Sequence, residues 1–190
     1  MSATIDLRDL RHKPFDLLVE LERRSRSAAV GQNVVGSSAN EWVGVGIRIG
    51  TLSFVVPRSE VREVLEYPAI TPVPRAKSWV LGLANVRGQL LPVFDMSGFA
   101  AETNIRPDRR ARVISVSHPE VSAGFAVNEV FGFRRFSETN FRDTSILASQ
   151  SGLNDYNQYL AGSFARGSDS WPILSLRQVV ESVDFAQAAE

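Results

Sequence analysis

Between Trp42 and Pro57 the chain reads WVGVGIRIGTLSFVVP, apolar positions alternating with small or polar ones and the alternation broken once, at Gly50 and Thr51. A period of two places successive side chains on opposite faces of an extended chain, so two strands meeting at a tight turn are predicted. Beyond Pro57, RSEVREVLEY reads as a helical turn running into a strand. The stretch YPAITPVP holds three prolines in eight residues, which predicts an extended connection without regular structure. Apolar positions resume at Trp79, Val80, Leu81 and Leu83. Further strands are predicted over 89–96, 111–117, 122–127, 130–136, 159–164 and 170–174.

Helical periodicity shows only at the two ends of the chain. From Pro14 to Ala28, proline suits the first helical position, and Leu17, Leu18 and Leu21 recur at helical spacing. That helix either covers one end of the following domain or docks on a partner. Residues 30–40, rich in glycine and serine, read as a linker. Near the other end, Ser175 followed by Gln178 forms a capping box ahead of Leu176, Val179, Val180 and Val183, which predicts a short closing helix. Many short strands with helices only at the ends argue for small β-barrels. The expected division is a helical extension and linker over 1–40, a β domain over 41–184 and a tail over 185–190.

The pattern also repeats. FVVPRSEV from Phe54 parallels FAVNEVFG from Phe125, and GLANVRGQLLPVFDM from Gly82 is echoed by GSFARGSDSWPILSL from Gly162. Gly82 and Gly162 each stand ten residues before a proline, Pro92 and Pro172, with an Arg-Gly pair between them. Two lobes of this size would each have too small a core alone, so a shared apolar interface is expected. Grooves between lobes are where ligands and partners settle.

Composition narrows the function classes. Among 190 residues, 21 basic and 21 acidic side chains cancel, which removes the long-range positive field of a nonspecific nucleic-acid or membrane binder. With no cysteine, disulfides, thiolate nucleophiles and thiolate zinc sites are excluded. No run approaches the roughly 20 apolar residues of a membrane helix, and the charged N-terminus lacks a secretory apolar core. A cytoplasmic location is expected. Gly44, Gly46 and Gly50 miss the spacing of a dinucleotide fingerprint.

Catalytic chemistry is not in evidence. The two histidines, His12 and His118, have no companion at metal-ligand spacing; His118, beside a proline in a turn, is expected to face solvent. Glu60, Glu63, Asp95 and Glu102 read as solvated surface carboxylates. All basic residues except Lys13 and Lys77 are arginine. Clusters at 106–112 and 134–135 could clamp phosphates, but Asp108 interrupts the first and aromatic interleaving is sparse, so a β-barrel nucleic-acid binder is the alternative reading. Arg87, set with Gly88 between two apolar runs, instead suits protein recognition. Its stem can lie along apolar surface while its planar donors meet a carboxylate or carbonyl, and glycine beside it admits a second backbone.

These residues resemble a CheW-type chemotaxis adaptor over about 42–183. The family's apolar strand, V-x-E-V/I step, proline-rich connection and G-x-x-N-x-R-G-x-x-x-P-V/I-x-D-L/M motif are matched by Phe54 to Val56, by Val61, Glu63 and Val64, and by Gly82, Asn85, Arg87, Gly88, Pro92, Val93, Asp95 and Met96. Gly124, Phe125, Val127, Asn128 and Val130 match a second pattern, with asparagine where aspartate is usual. The N-terminal extension and the SFARGSDSW loop are similar to PilI-like adaptors of the type IV pilus system.

The resemblance implies a mainly β fold of two SH3-like five-stranded β-barrels side by side. It also implies a non-catalytic adaptor, without cofactor or metal, joining a methyl-accepting chemoreceptor's cytoplasmic tip to the regulatory domain of a CheA-like histidine kinase, at membrane-associated receptor arrays and without membrane insertion. Carried over, the receptor-contacting and coupling positions are Val61, Glu63, Gly82, Arg87, Val130 and Gly162, with Asn85 and Gly88 flanking Arg87, around a groove between the lobes. Arg87 would meet partner and neighbouring-lobe backbone. Asn128 removes a charge on which a family salt bridge would rest.

Overall fold

A computed structural model describes residues 41–101, 104–144, 152–167 and 169–188. Glu41–Glu190 forms a compact unit of its own; the helix and linker expected before Glu41 lie outside the described residues.

The alternating stretch around Gly50 folds as predicted, with β1 (Glu41–Ile49) and β2 (Leu52–Pro57) paired antiparallel. Gly50 takes φ +58 at the turn, a conformation glycine adopts without a Cβ penalty. A 3-10 turn, Arg58–Glu60, leads into β3 (Val61–Glu66). There follow β4 (Ile70–Thr71), β5 (Val80–Val86), β6 (Gln89–Asp95), a helix α1 (Met96–Ala101), β7 (Arg112–Val116) and β8 (Gly124–Val127). The chain continues through β9 (Glu129–Ser137), β10 (Phe141–Arg142), a 3-10 segment Asn154–Tyr159, β11 (Leu160–Arg166) and β12 (Asp169–Leu174), and ends in α2 (Leu176–Glu181) and α3 (Val183–Ala186).

Two six-stranded sheets result, ordered β10-β11-β12-β2-β1-β9 and β3-β7-β8-β6-β5-β4. The fold is mainly β with two related lobes, as expected. It departs from closed five-stranded barrels in that the two-residue β4 and β10 raise the count and each ladder has two ends. The proline-rich YPAITPVP is not wholly irregular either. Ile70 and Thr71, between its prolines, pair with Ala84 and Leu83, because a sheet edge asks for hydrogen bonds on one side only.

The repeat read in the sequence is built into the topology. The first half of the chain gives its hairpin β1–β2 to one sheet and β3–β6 to the other; the second half gives β7–β8 to the latter and β9–β12 to the former. Each sheet is thus completed by both halves, so neither half can satisfy its backbone alone. The register repeats residue by residue. Leu83, after Gly82, pairs with Thr71 and Pro92; Ser163, after Gly162, pairs with Arg142 and Pro172. The Arg-Gly echo, however, is offset by one position. Arg87 and Gly88 lie between the paired Val86 and Gln89, whereas Arg166 is itself paired, with Asp169.

Three apolar clusters follow from strand alternation. Phe54 and Val56 of β2 enter a large cluster with Val61, Phe94, Ile114 and Phe125 from the other sheet, the shared interface that two small lobes require. Val55, between them, faces the opposite way, with Phe136, Phe164 and Ile173. The second sheet gathers its own cluster around Ala84, Leu91, Val93, Val113 and Ala126.

Ser175 caps α2 by accepting from Gln178 N at 3.2 Å, as the capping box predicts. Beyond it, α3 places Phe185 in the shared core, in a segment expected to be tail.

Candidate functional site

The hairpin β5–β6 carries Asn85, Arg87 and Gly88 at its tip. With Val86 paired to Gln89, two residues must reverse the chain, and both take positive φ, Arg87 at +51 and Gly88 at +83. That is the type I′ turn whose twist matches the flanking strands. Asn85 supports it, its Oδ1 accepting from Gly88 N at 2.9 Å. Arginine in this conformation costs about 1 kcal/mol, so a compensating contact is expected. Arg87 Nη2 lies 3.0 Å from Glu63 Oε2, with the arginine side chain 79% exposed and the glutamate 29%. An ion pair this open contributes no more than about 1 kcal/mol to stability. It orients the guanidinium and leaves most of its donors facing outward.

Glu63 reaches this position through a β-bulge. Val61 pairs with Val116 and Glu63 with Ser115, leaving Arg62 as the extra residue. Around the pair lies a cleft of about 260 Å3 bordered by Arg62, Gln89 and Leu90, with Ser115 and Ser122 also in its lining. Leu90 is 67% exposed. A large exposed apolar side chain beside an oriented arginine is the composition of a protein-binding anchor. Among the described residues, no three His, Cys, Asp or Glu side chains group as a metal site.

Glu63, Asn85, Arg87 and Gly88 come together; the other expected positions do not join them. Val61 is buried in the shared core. Gly82 is wedged against β4, where a Cβ would stand 2.1 Å from Thr71 O. Val130 packs against the shared core. Gly162 belongs to the other sheet, and a Cβ there would meet the Phe141 ring at 2.5 Å. Arg87 pairs with a glutamate of its own sheet, not with neighbouring-lobe backbone.

Of the polar residues read as solvated, Asp95 and Glu60 are buried and His118 is partly covered. Asp95 is fully buried and accepts from Ser97 N at 3.0 Å, Ser97 Oγ at 2.7 Å and Ile105 N at 2.6 Å; Asp-x-Ser at a strand end is the signal that was there to read. Glu60 accepts from Ser175 Oγ at 3.0 Å and Arg177 N at 3.1 Å, partners more than 100 residues distant that no local pattern announces. The His118 side chain is only 10% exposed; its Nδ1 accepts from Glu120 N and Val121 N, and Nε2 lies 3.4 Å from Glu181 Oε1. A histidine can close a turn just as Asx residues do.

Asn128 keeps a structural role without charge, its Oδ1 accepting from Gly50 N at 2.7 Å. Glu129 carries the charge one residue on, 3.0 Å from Arg48 and 3.6 Å from Arg110. Several of the arginines proposed as phosphate clamps are occupied within the protein as well. Arg110 also meets Asp108, Arg135 meets Glu41, and Arg134 lies over the Phe131 and Trp171 rings. No helix among the described residues is long and apolar enough to cross a membrane.

Comparison with known proteins agrees with this geometry. Residues 43–184 match the CheW-like domain family. Protein PilI of Pseudomonas aeruginosa is 44% identical over 131 residues, 68% of this chain and 73% of that protein. The chemotaxis protein CheW of Rhizobium meliloti is 30% identical over 123 residues, 65% of this chain and 74% of that one. Among solved structures, the scaffolding protein TtCheW of Thermoanaerobacter tengcongensis superposes with a TM-score of 0.63 at 18% identity, over 75% of this chain and 94% of that one, which is a likeness of fold. With three quarters of its length matched to the family and its two-lobed sheet arrangement shared, this chain belongs to the CheW-like family of chemosensory coupling proteins.

Proposed function

We propose that the chain is a non-catalytic adaptor that holds the cytoplasmic tip of a methyl-accepting chemoreceptor and the regulatory domain of a CheA-like histidine kinase together, at receptor arrays. The 44% identity to PilI favours the pathway of type IV pilus (twitching) motility over the flagellar one. Residues 41–184 form the adaptor and residues 1–40 its extension. The observation that carries the reading is the Arg87–Glu63 pair, a 3.0 Å contact on a strained, exposed hairpin tip beside Leu90. A pair so open adds little to stability, and its geometry makes sense as a prepared contact surface. The mechanism is geometric: receptor and kinase are bound on one rigid body, and signalling changes their relative placement. Modest interfaces of this kind gain strength from array avidity.

Pull-down of the full chain with a receptor cytoplasmic fragment and with the kinase regulatory domain tests the proposal. Retention of both by folded wild-type protein is expected. Folded protein that retains neither overturns it.

A further inference from the structure

We infer that Glu60 is a positioning residue for the Glu63–Arg87 pair, acting by pinning the β-bulge at Arg62 to the first turn of α2. This rests on the proposed role of that pair and names what sets it. In a regular strand, residues four apart share a face. In β3 they do not: Val61 belongs to the core between the sheets, whereas Leu65 packs against the second sheet's own cluster. The extra residue Arg62 accounts for the reversal. Glu63, two before Leu65, therefore points to the face where Val86 packs and where the β5–β6 turn stands. A register slip of one residue would turn Glu63 away from Arg87.

What holds the bulge in place lies immediately before it. Glu60 is 8% exposed, and its carboxylate accepts from Ser175 Oγ at 3.0 Å and from Arg177 N at 3.1 Å. Its own carbonyl accepts from Ser117 N at 2.8 Å. Arg58, two residues earlier, donates from Nη1 to Val61 O at 2.9 Å and lies over the Phe133 ring. The crossover from one sheet to the other is thus tied on one side to β7's end and on the other to the helix that follows β12. Hydrogen bonds to a buried carboxylate are strong, and none of these partners belongs to the contact surface itself.

Two readouts test the inference. In the isolated full chain, the Arg87 Nε–Hε NMR signal is located in wild type and in Glu63→Gln, which defines the paired and unpaired positions. Glu60→Ala is expected to move the signal to the unpaired position, while Glu60→Gln, which keeps an acceptor for Arg177 N and a donor for Ser175 Oγ, leaves it in place. If Glu60→Ala does not fold, Ser175→Ala replaces it with the same expectation. A folded variant whose Arg87 signal stays at the wild-type position overturns the inference. The second readout is affinity for the receptor fragment. Glu60→Ala is expected to weaken binding about tenfold and to add nothing in an Arg87→Ala background; losses that multiply independently overturn the inference. Wild-type protein that binds neither partner would end the adaptor reading, and the NMR result would still decide the role of Glu60.

Discussion

Substituting Gly82 by alanine should cost the fold far more than a glycine at a binding surface would. Gly82 takes φ +137, and a Cβ there would stand 2.1 Å from Thr71 O and 2.7 Å from Thr71 C. Those atoms are backbone, so no rotamer change relieves the contact. β4 must leave, with the loss of its pairing to β5 and of the packing of Ile70 on the second sheet's cluster. The strained φ costs about 1–3 kcal/mol, each lost backbone hydrogen bond about 1 kcal/mol, and the partial uncovering of one isoleucine about 1 kcal/mol. A total of roughly 3–5 kcal/mol is a large share of a typical domain's stability and corresponds to a fall in Tm of roughly 6–20 °C for a chain of this size. Gly162→Ala should cost less, because the nearest group in its way, at 2.5 Å, is the Phe141 ring, itself 44% exposed and able to swing aside, and the backbone atom a Cβ would meet, Arg142 O, stands at 2.9 Å and so has less far to give than Thr71 O. Urea unfolding followed by circular dichroism measures both. A loss below about 1 kcal/mol for Gly82→Ala, or the reverse order, would refute the reasoning and return Gly82 to the surface role the family resemblance suggests.

Other outcomes follow from the same contacts. Asp95→Ala strands the donors Ser97 N, Ser97 Oγ and Ile105 N and should destabilise by about 3 kcal/mol or more in the same unfolding assay. Asn128→Asp keeps the acceptor for Gly50 N and should stay within about 0.5 kcal/mol of wild type, whereas Asn128→Ala should lose about 1 kcal/mol. Burial raises the phenols of Tyr67, Tyr156 and Tyr159 above their ordinary value of 10.0, with Asp95 adding to the first two. A phenol that ionises later in the folded than in the unfolded chain gives stability that is complete below pH 10 and is lost as pH rises through the folded value. Unfolding midpoints should therefore fall above pH 10, and less steeply in Tyr156→Phe.

The strands and the lobe repeat were legible because each is written locally. Alternation marks β1 and β2, Ser175 with Gln178 marks α2, and Gly82 and Gly162 mark equivalent bulged positions beside β4 and β10. What escaped was long-range. Glu60, Asp95 and His118 look like surface residues until the chain closes around them, since burial is decided by distant segments such as Ser175 and Glu181. The Arg-Gly echo misled for the same reason: one residue of offset puts Arg87 in a turn and Arg166 in a strand, a difference that only pairing reveals. Likewise, identity of motif did not distinguish Val61, Gly82 and Gly162, which shape the scaffold, from Arg87, which projects from it.

Titration calorimetry of the full chain, wild type and Arg87→Ala, against the receptor fragment and the kinase regulatory domain bears most directly on the central claim. The ion pair is worth no more than about 1 kcal/mol to the fold, while a binding anchor is worth about 2 kcal/mol or more to an interface. The account predicts an Arg87→Ala protein with a nearly unchanged unfolding midpoint and a Kd weakened roughly thirtyfold for at least one partner. A variant that binds both partners as wild type does, or one that loses its fold, would contradict it.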